Sequence, residues 1–222
     1  MFPITFSSEI HEKLPALRLG CLWAEVEVQP SGPLLLQLID EACSQISGKL
    51  AIDTISSLPV IRSAREGYKA TGKKPGRYRP SAEALLRRVV SGKGLYQISN
   101  VVDVINLTSI TTHYSIGGYD AGQLRGPVEL GIGQEGEPYQ AIARGELNIG
   151  GLPALRDAQG AFGSPTSDSE RSSIQTHSRF VVLVFFDFGG HAGLMQKLLD
   201  TELLLAQHCS GSAFERKIFS TY

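Results

Sequence analysis

Apolar and polar positions along the chain alternate with two different periods. In "LRLGCLWAEVEV" (17–28), Ala24, Val26 and Val28 alternate with Glu25 and Glu27, which predicts a strand. "LLLQLIDEACSQI" (34–46), after Gly32-Pro33, and "LPVIRSAREGYKATG" (58–72) predict two helices, the second ending near Gly72. "GKKPGRYRP" (72–80) is a basic Gly/Pro turn. It leads into "SAEALLRRVV", where Ala82, Leu85, Leu86, Val89 and Val90 share one helical face and Arg87 and Arg88 point to solvent. Pro80 suits the first turn of that helix.

Further along, "NVVDVINLTSITTHYSIGGYD" (100–120) predicts a helix over Val101, Val102, Ile105, Leu107 and Ile110, capped by Asn100. Gly117-Gly118 then reads as a turn carrying Tyr119 and Asp120. "GPVELGIG" (126–133), "PYQAIA" (138–143) and "ELNIGG" (146–151) predict short hairpin strands, and "GAFGSPTSDSERSSIQTHS" (160–178) a long polar loop. The continuous apolar run "RFVVLVFFDF" (179–188) predicts a central buried strand. An amphipathic helix from Ala192 to Cys209, with Leu194, Met195, Leu198, Leu199, Leu203 and Leu204 on one side, ends the series. The expected class is α+β.

Length refines this picture: 222 residues bury roughly 70% of the unfolded chain's surface in a single core. The expectation is one domain over 1–222, with 1–57 a strand/helix extension, 58–190 the core and 191–222 a C-terminal helix. The sequence has no apolar run of membrane-spanning length and its first residues lack the pattern of a signal peptide, so a cytoplasmic location is expected. Cys21, Cys43 and Cys209 and the five histidines show no metal-ligand spacing, so neither a metal nor a cofactor is expected.

Charge changes the picture most. Ten basic residues between Arg62 and Lys93 face two acidic ones, a net +8 within a chain of net −1, so the remaining residues carry −9. Lys73, Lys74, Arg77, Tyr78, Arg79, Arg87 and Arg88, with Tyr68 nearby, interleave cations and rings around a turn. Such a segment is either a solvated helical face or a contact for single-stranded RNA, whose phosphates need cations and whose bases need flat partners.

Two further groups carry candidate chemistry. Gly163, Ser164, Thr166, Ser167, Asp168 and Arg171 are either a flexible loop or the lip of a polar pocket. Asp103 and Asn106 are one helical turn apart, beside Gly117, Tyr119 and Asp120, and are either a site or a capped surface helix. No P-loop, dinucleotide fingerprint or nucleophile elbow accompanies them.

These segments resemble a known family. "YRPSAEALLRRVVSGKGLYQISNVVDVINLTSI", "YSIGGYDAGQLRGPVEL", "GELNIGGLPALRDAQGAFG" and "FVVLVFF", from about Arg62 to Phe188, are similar in order and spacing to the editing module of the bacterial phenylalanyl-tRNA synthetase beta chain, formed by its third and fourth domains. The chain looks most like free-standing proteins built from that module alone. The resemblance implies three layers, with a β-sandwich-like core flanked by helices. It also implies a pocket for the aminoacylated 3′ end of a tRNA, where a wrongly attached tyrosine is hydrolysed. Asp157 and the Gly160 to Gly163 segment match the family pattern. Three positions depart from it: Ile105-Asn106 replaces a Thr-Asn pair, Gly117 replaces a histidine, and Val184 stands for the glutamate that recognises the tyrosine hydroxyl.

The leading expectation is therefore a tRNA-binding, editing-like protein. Asp120 and Asp168 would assist a hydrolytic water, and Asn106, Gly117, Tyr119, Gly163, Ser164, Thr166, Ser167 and Arg171 would hold the aminoacyl end. The alternative is a non-catalytic module that binds tRNA or a free amino acid and has lost the reaction. A third reading is a small-molecule binding protein without a tRNA role.

Overall fold

The computed structural model describes residues 3–221. In chain order its elements are β1 (Ile4–Phe6), α1 (Ser8–Lys13), β2 (Arg18–Glu25), α2 (Pro33–Lys49), α3 (Pro59–Ala70), α4 (Ser81–Val90), α5 (Asn100–Thr112), β3 (Ser115–Asp120), β4 (Val128–Ile132), β5 (Gln140–Ala141), β6 (Gly145–Glu146), β7 (Pro153–Asp157), β8 (Gly160–Gly163), β9 (Phe180–Asp187), α6 (Leu194–His208) and β10 (Ser212–Ser220). They build an α+β fold around two four-stranded sheets, one ordered β1-β4-β7-β8 and the other β10-β2-β9-β3. Only β1 and β4 pair in parallel; the other neighbours in these two sheets are antiparallel.

The period of two sorts β2, β9 and β3 into faces. Leu19, Cys21, Trp23, Val182, Val184, Phe186 and Tyr119 pack against Leu130, Ala154, Leu155 and Phe162 of the other sheet. From the opposite face, Leu22, Ala24, Val181, Leu183, Phe185 and Ile116 meet α2, α5 and α6 through Leu35, Ile39, Val101, Val104, Ile105, Leu194, Leu198 and Leu205. The result is sheet on sheet on helices. A third apolar cluster, Ile55, Ile61, Ala82, Leu86, Val89 and Ile110, joins α3, α4 and α5 at one side. The run read as a buried strand is β9, central in its sheet between β2 and β3 and apolar on both faces because both are covered.

Several expectations are corrected. Gly117-Gly118 is extended backbone inside β3, not a turn: Gly117 pairs with Val184 and Gly118 with Leu183. The stretch read as a loop from 160 begins as β8, hairpin-paired with β7. The runs at 138–143 and 146–151 shrink to β5 and β6, two residues each. The end of the chain forms the nine-residue β10, which pairs with β2. Its charged centre, Glu215-Arg216-Lys217, hides the strand pattern because β10 is an edge with most of its residues exposed or half-buried.

The 1–57 segment contributes strands to both sheets through β1 and β2. Asn100 is not the cap of α5; Ser99 is, its Oγ accepting from Val102 N. Asn100 instead clamps three segments: its Oδ1 accepts from Gln29 N at 3.0 Å, and its Nδ2 donates to Glu27 O and His208 O. Asp103 accepts from Ser31 Oγ at 2.6 Å and from Ile98 N at 3.0 Å.

Candidate inter-sheet site and basic face

Beyond β8 the chain folds back as a tight turn, Ser164 to Asp168, onto which three tyrosines converge. Ser164 Oγ donates to Ser167 O at 2.9 Å and accepts from the N–H groups of Thr166 and Ser167. Tyr68 of α3, fully buried, shares a 2.9 Å hydrogen bond with Thr166 Oγ1, and the Tyr139 hydroxyl donates to Ser167 O at 2.6 Å. The hydroxyls of Ser164 and Thr166 are thereby satisfied inside the protein rather than presented on a lip, while Ser167 is half-buried and is held through its backbone.

Asp168 anchors the turn to the second sheet. Its Oδ2 accepts the N–H of Gly118 from the free edge of β3 at 3.1 Å, while Oδ1 is buried without a hydrogen-bond partner. Burial pushes the carboxyl up to about 7, against the opposing pull of the Tyr119 hydroxyl and the backbone N–H donors. The buried Tyr119 hydroxyl makes no close hydrogen bond but interacts with Asp168, and it is held well above the usual phenol range by burial and then by the charge of that carboxylate.

Tyr119 fills the space between the sheets. A β-carbon on Gly117 or on Gly163 would overlap its hydroxyl and ring, so both positions must be glycine for the phenol to lie there. The ring meets Phe162 edge-on at 5.0 Å between centroids. Gly117 and Val184, two of the three departures from the family pattern, are cross-strand neighbours beside it.

The other residues expected at this site lie elsewhere. Ile105 packs over Gly118 on the helix-facing side of the sheet, so half-buried Asn106, the next residue of α5, is not part of the Tyr119 cluster. Asp120 is a cap: Oδ1 accepts from Gly122 N at 2.8 Å and Oδ2 from Ser178 Oγ at 2.6 Å, so both oxygens have structural partners. Arg171 is committed to Asp157 at 2.7 Å and to Gly160 O. The open hollows along α2 and beside Arg156 are lined by none of these residues.

The basic segment divides in two. Lys73 is buried, donating to Asn148 O at 2.8 Å and Gly150 O at 2.6 Å, with its Nζ 3.8 Å from the Tyr78 ring centre. Burial lowers its pKa, and it serves to tie the turn to the 148–151 loop. Glu83, fully enclosed on α4, accepts from Arg65 Nη1 at 2.8 Å and Arg87 Nε at 2.9 Å, with Arg79 Nε at 3.9 Å. Arg87 and Arg88 are half-buried rather than turned to solvent; Arg88 lies 3.8 Å from the ring centre of Tyr96. Lys74, Arg77 and Arg79 are exposed. Glu83 was legible as the lone acid four residues from both Arg79 and Arg87. Tyr139 and Tyr96 carried no local signal.

Among the described residues no group of three His, Cys, Asp or Glu side chains could hold a metal ion, and no helix is long and apolar enough to cross a membrane. Two facing sheets with helices on the outer side of one, a tyrosine-filled interior and a basic flank define an α+β two-sheet module. Residues 63–191 match the family described as the B3/4 domain, and the chain belongs to that family. No curated protein matches it. Among solved structures, an N-terminal fragment of the phenylalanyl-tRNA synthetase beta-subunit from Pyrococcus horikoshii is similar, with a TM-score of 0.46 and 11% identity over 97% of this chain and 49% of that one. The chain thus spans about half the length of that fragment.

Proposed function

We propose that this B3/4 protein binds tRNA through its basic flank and does not hydrolyse the aminoacyl ester. The observation that carries the second half is Tyr119, whose phenol fills the gap that Gly117 and Gly163 leave between the sheets. While that ring is in place, the space over Gly117 and Gly163 is closed to an aminoacyl group. The first half is supported by the exposed Lys74, Arg77 and Arg79 and by the +8 of the segment they belong to. The resemblance to the synthetase editing module points to tRNA as the nucleic acid.

A titration with tRNA at rising salt tests binding. Affinity falls steeply with salt, and the slope shrinks by about one for each of Lys74→Ala, Arg77→Ala and Arg79→Ala. Absence of tRNA affinity at low salt would favour a small-molecule binding protein instead.

One observation favours hydrolysis in trans as a second reading. Asp168 combines a buried, unpartnered Oδ1 with a pKa near neutrality, the properties of a general base awaiting a water. Incubation with a panel of mischarged tRNAs separates the two. No accelerated deacylation is expected, and acceleration on any member of the panel that Asp168→Asn abolishes would replace the binding reading with the hydrolytic one.

A further inference from the structure

The connection between α4 and α5 (91–99) carries an aromatic platform that none of the expectations included. Tyr96 is 53% exposed, and the guanidinium Cζ of Arg88, in the last turn of α4, lies 3.8 Å from its ring centre. One side of the ring is thus backed by a cation and the rest is open. No carboxylate among the described residues pairs with Arg88, and its Nε is enclosed without a hydrogen-bond partner, so its charge is not neutralised from within.

The loop is held in shape at both ends. Lys93 N donates to Arg88 O at 3.1 Å, Leu95 packs into the helical core, and Ile98 N donates to Asp103 Oδ1 at 3.0 Å. Arg88 borders the ring, exposed Lys93 stands three residues before it in the same loop, Ile98 is 64% exposed two residues on, and no acidic residue occurs between Glu83 and Asp103.

The geometry points to Tyr96 and Arg88 as a stacking site for an unpaired base of single-stranded RNA, with Lys93 beside it for the adjoining phosphate. A flat ring backed by a guanidinium suits a nucleobase, which brings its own π-face, and an acid-free cationic border suits the negative backbone that accompanies it. This site rests on the reading of the basic flank as an RNA contact and deepens it, by separating a base-stacking position from the phosphate-binding cations of the turn.

The test uses the full chain, a labelled short single-stranded RNA and the same sequence as a duplex, with binding followed by fluorescence anisotropy across a salt series. Tyr96→Ala should weaken single-strand binding by roughly tenfold while leaving duplex binding and the salt slope unchanged, because stacking is lost and no phosphate contact is. Tyr96→Trp should restore the affinity. Lys93→Ala should instead lower the salt slope. Unchanged melting curves exclude a folding defect in this exposed residue. If the wild type binds RNA and Tyr96→Ala binds it equally well, the stacking site is wrong and the RNA reading survives. Equal weakening on single strand and duplex also overturns it, as does loss of self-association with RNA affinity intact, which would make the patch a protein contact. No RNA binding by the wild type overturns both.

Discussion

Tyr119 lays its phenol across Gly117, two residues earlier on the same face of β3, so closely that no larger residue fits beneath it. The hydroxyl makes no close hydrogen bond, though it interacts with the Asp168 carboxyl, so the ring is held chiefly by shape. Tyr119→Phe should therefore change stability by less than about 1 kcal/mol, whereas Tyr119→Ala should cost about 3–5 kcal/mol through the cavity it opens between the sheets. Urea denaturation of both variants measures the difference. The cavity of Tyr119→Ala should also take up 4-methylphenol, seen as a rise in Tm that the wild type does not show.

The reciprocal change probes the same fit from the other side. Gly117→Ala pushes a methyl into the ring and should destabilise by about 1–3 kcal/mol. Combining it with Tyr119→Val, which withdraws the ring, should recover much of that loss. Additive costs in the double variant would mean that the two residues do not compete for one space.

Asp168 should leave a signature in the pH dependence of stability. Its folded pKa of about 7 stands against about 3.9 in the unfolded chain. Below about pH 4 both states hold the proton and the group contributes no pH dependence. Between about 4 and 7 the unfolded chain has released a proton that the folded chain still binds, so stability falls as pH rises, and above about 7 the loss is complete. The full effect is on the order of 4 kcal/mol. Asp168→Asn should remove this slope; thermal melts of both proteins across that range, compared by difference, would refute the assignment if the two curves ran parallel.

Glu83 is the neutralising centre for Arg65, Arg79 and Arg87. Glu83→Ala leaves these guanidinium groups facing one another and should cost about 3–5 kcal/mol, with Glu83→Gln costing less because it preserves hydrogen-bond acceptance. Added salt should recover part of the loss by screening. A cost below about 1 kcal/mol, insensitive to salt, would show that the cluster contributes little.

Much of the architecture could be read from local pattern. β9 announces itself because both of its faces are covered, and α4 because its apolar residues keep a strict helical stripe. β3 could not be read, because its two glycines carry the ordinary signal of a turn. They belong to a strand only because Ile105 from α5 and Tyr119 supply, from either side, the bulk that glycine lacks. Ser164, Thr166, Ser167 and Asp168, neighbours in sequence, form one turn, and Tyr119, Gly117 and Gly163, expected with them, lie beside it. The structure does not bring in Asp120 or Arg171, whose partners Ser178 and Asp157 are fixed by folding at long range. Lys73 misleads for the same reason: the carbonyls of Asn148 and Gly150 that bury it lie some distance along the chain.

The position of β2, between β9 and β10, has a bearing on synthesis and on truncation. Residues 63–191 include β3 and β9 but neither β2 nor β10. A fragment cut to those limits would leave one side of Phe180–Asp187 unpaired, an apolar edge of eight residues open to sticking to its own kind. During translation β2 emerges long before its partner β9, and its other edge is sealed only when Ser212–Ser220 have left the ribosome. Until β10 emerges, the nascent chain carries an open β2 edge, and removing the residues of β10 should harm solubility far more than their exposed, charged composition suggests.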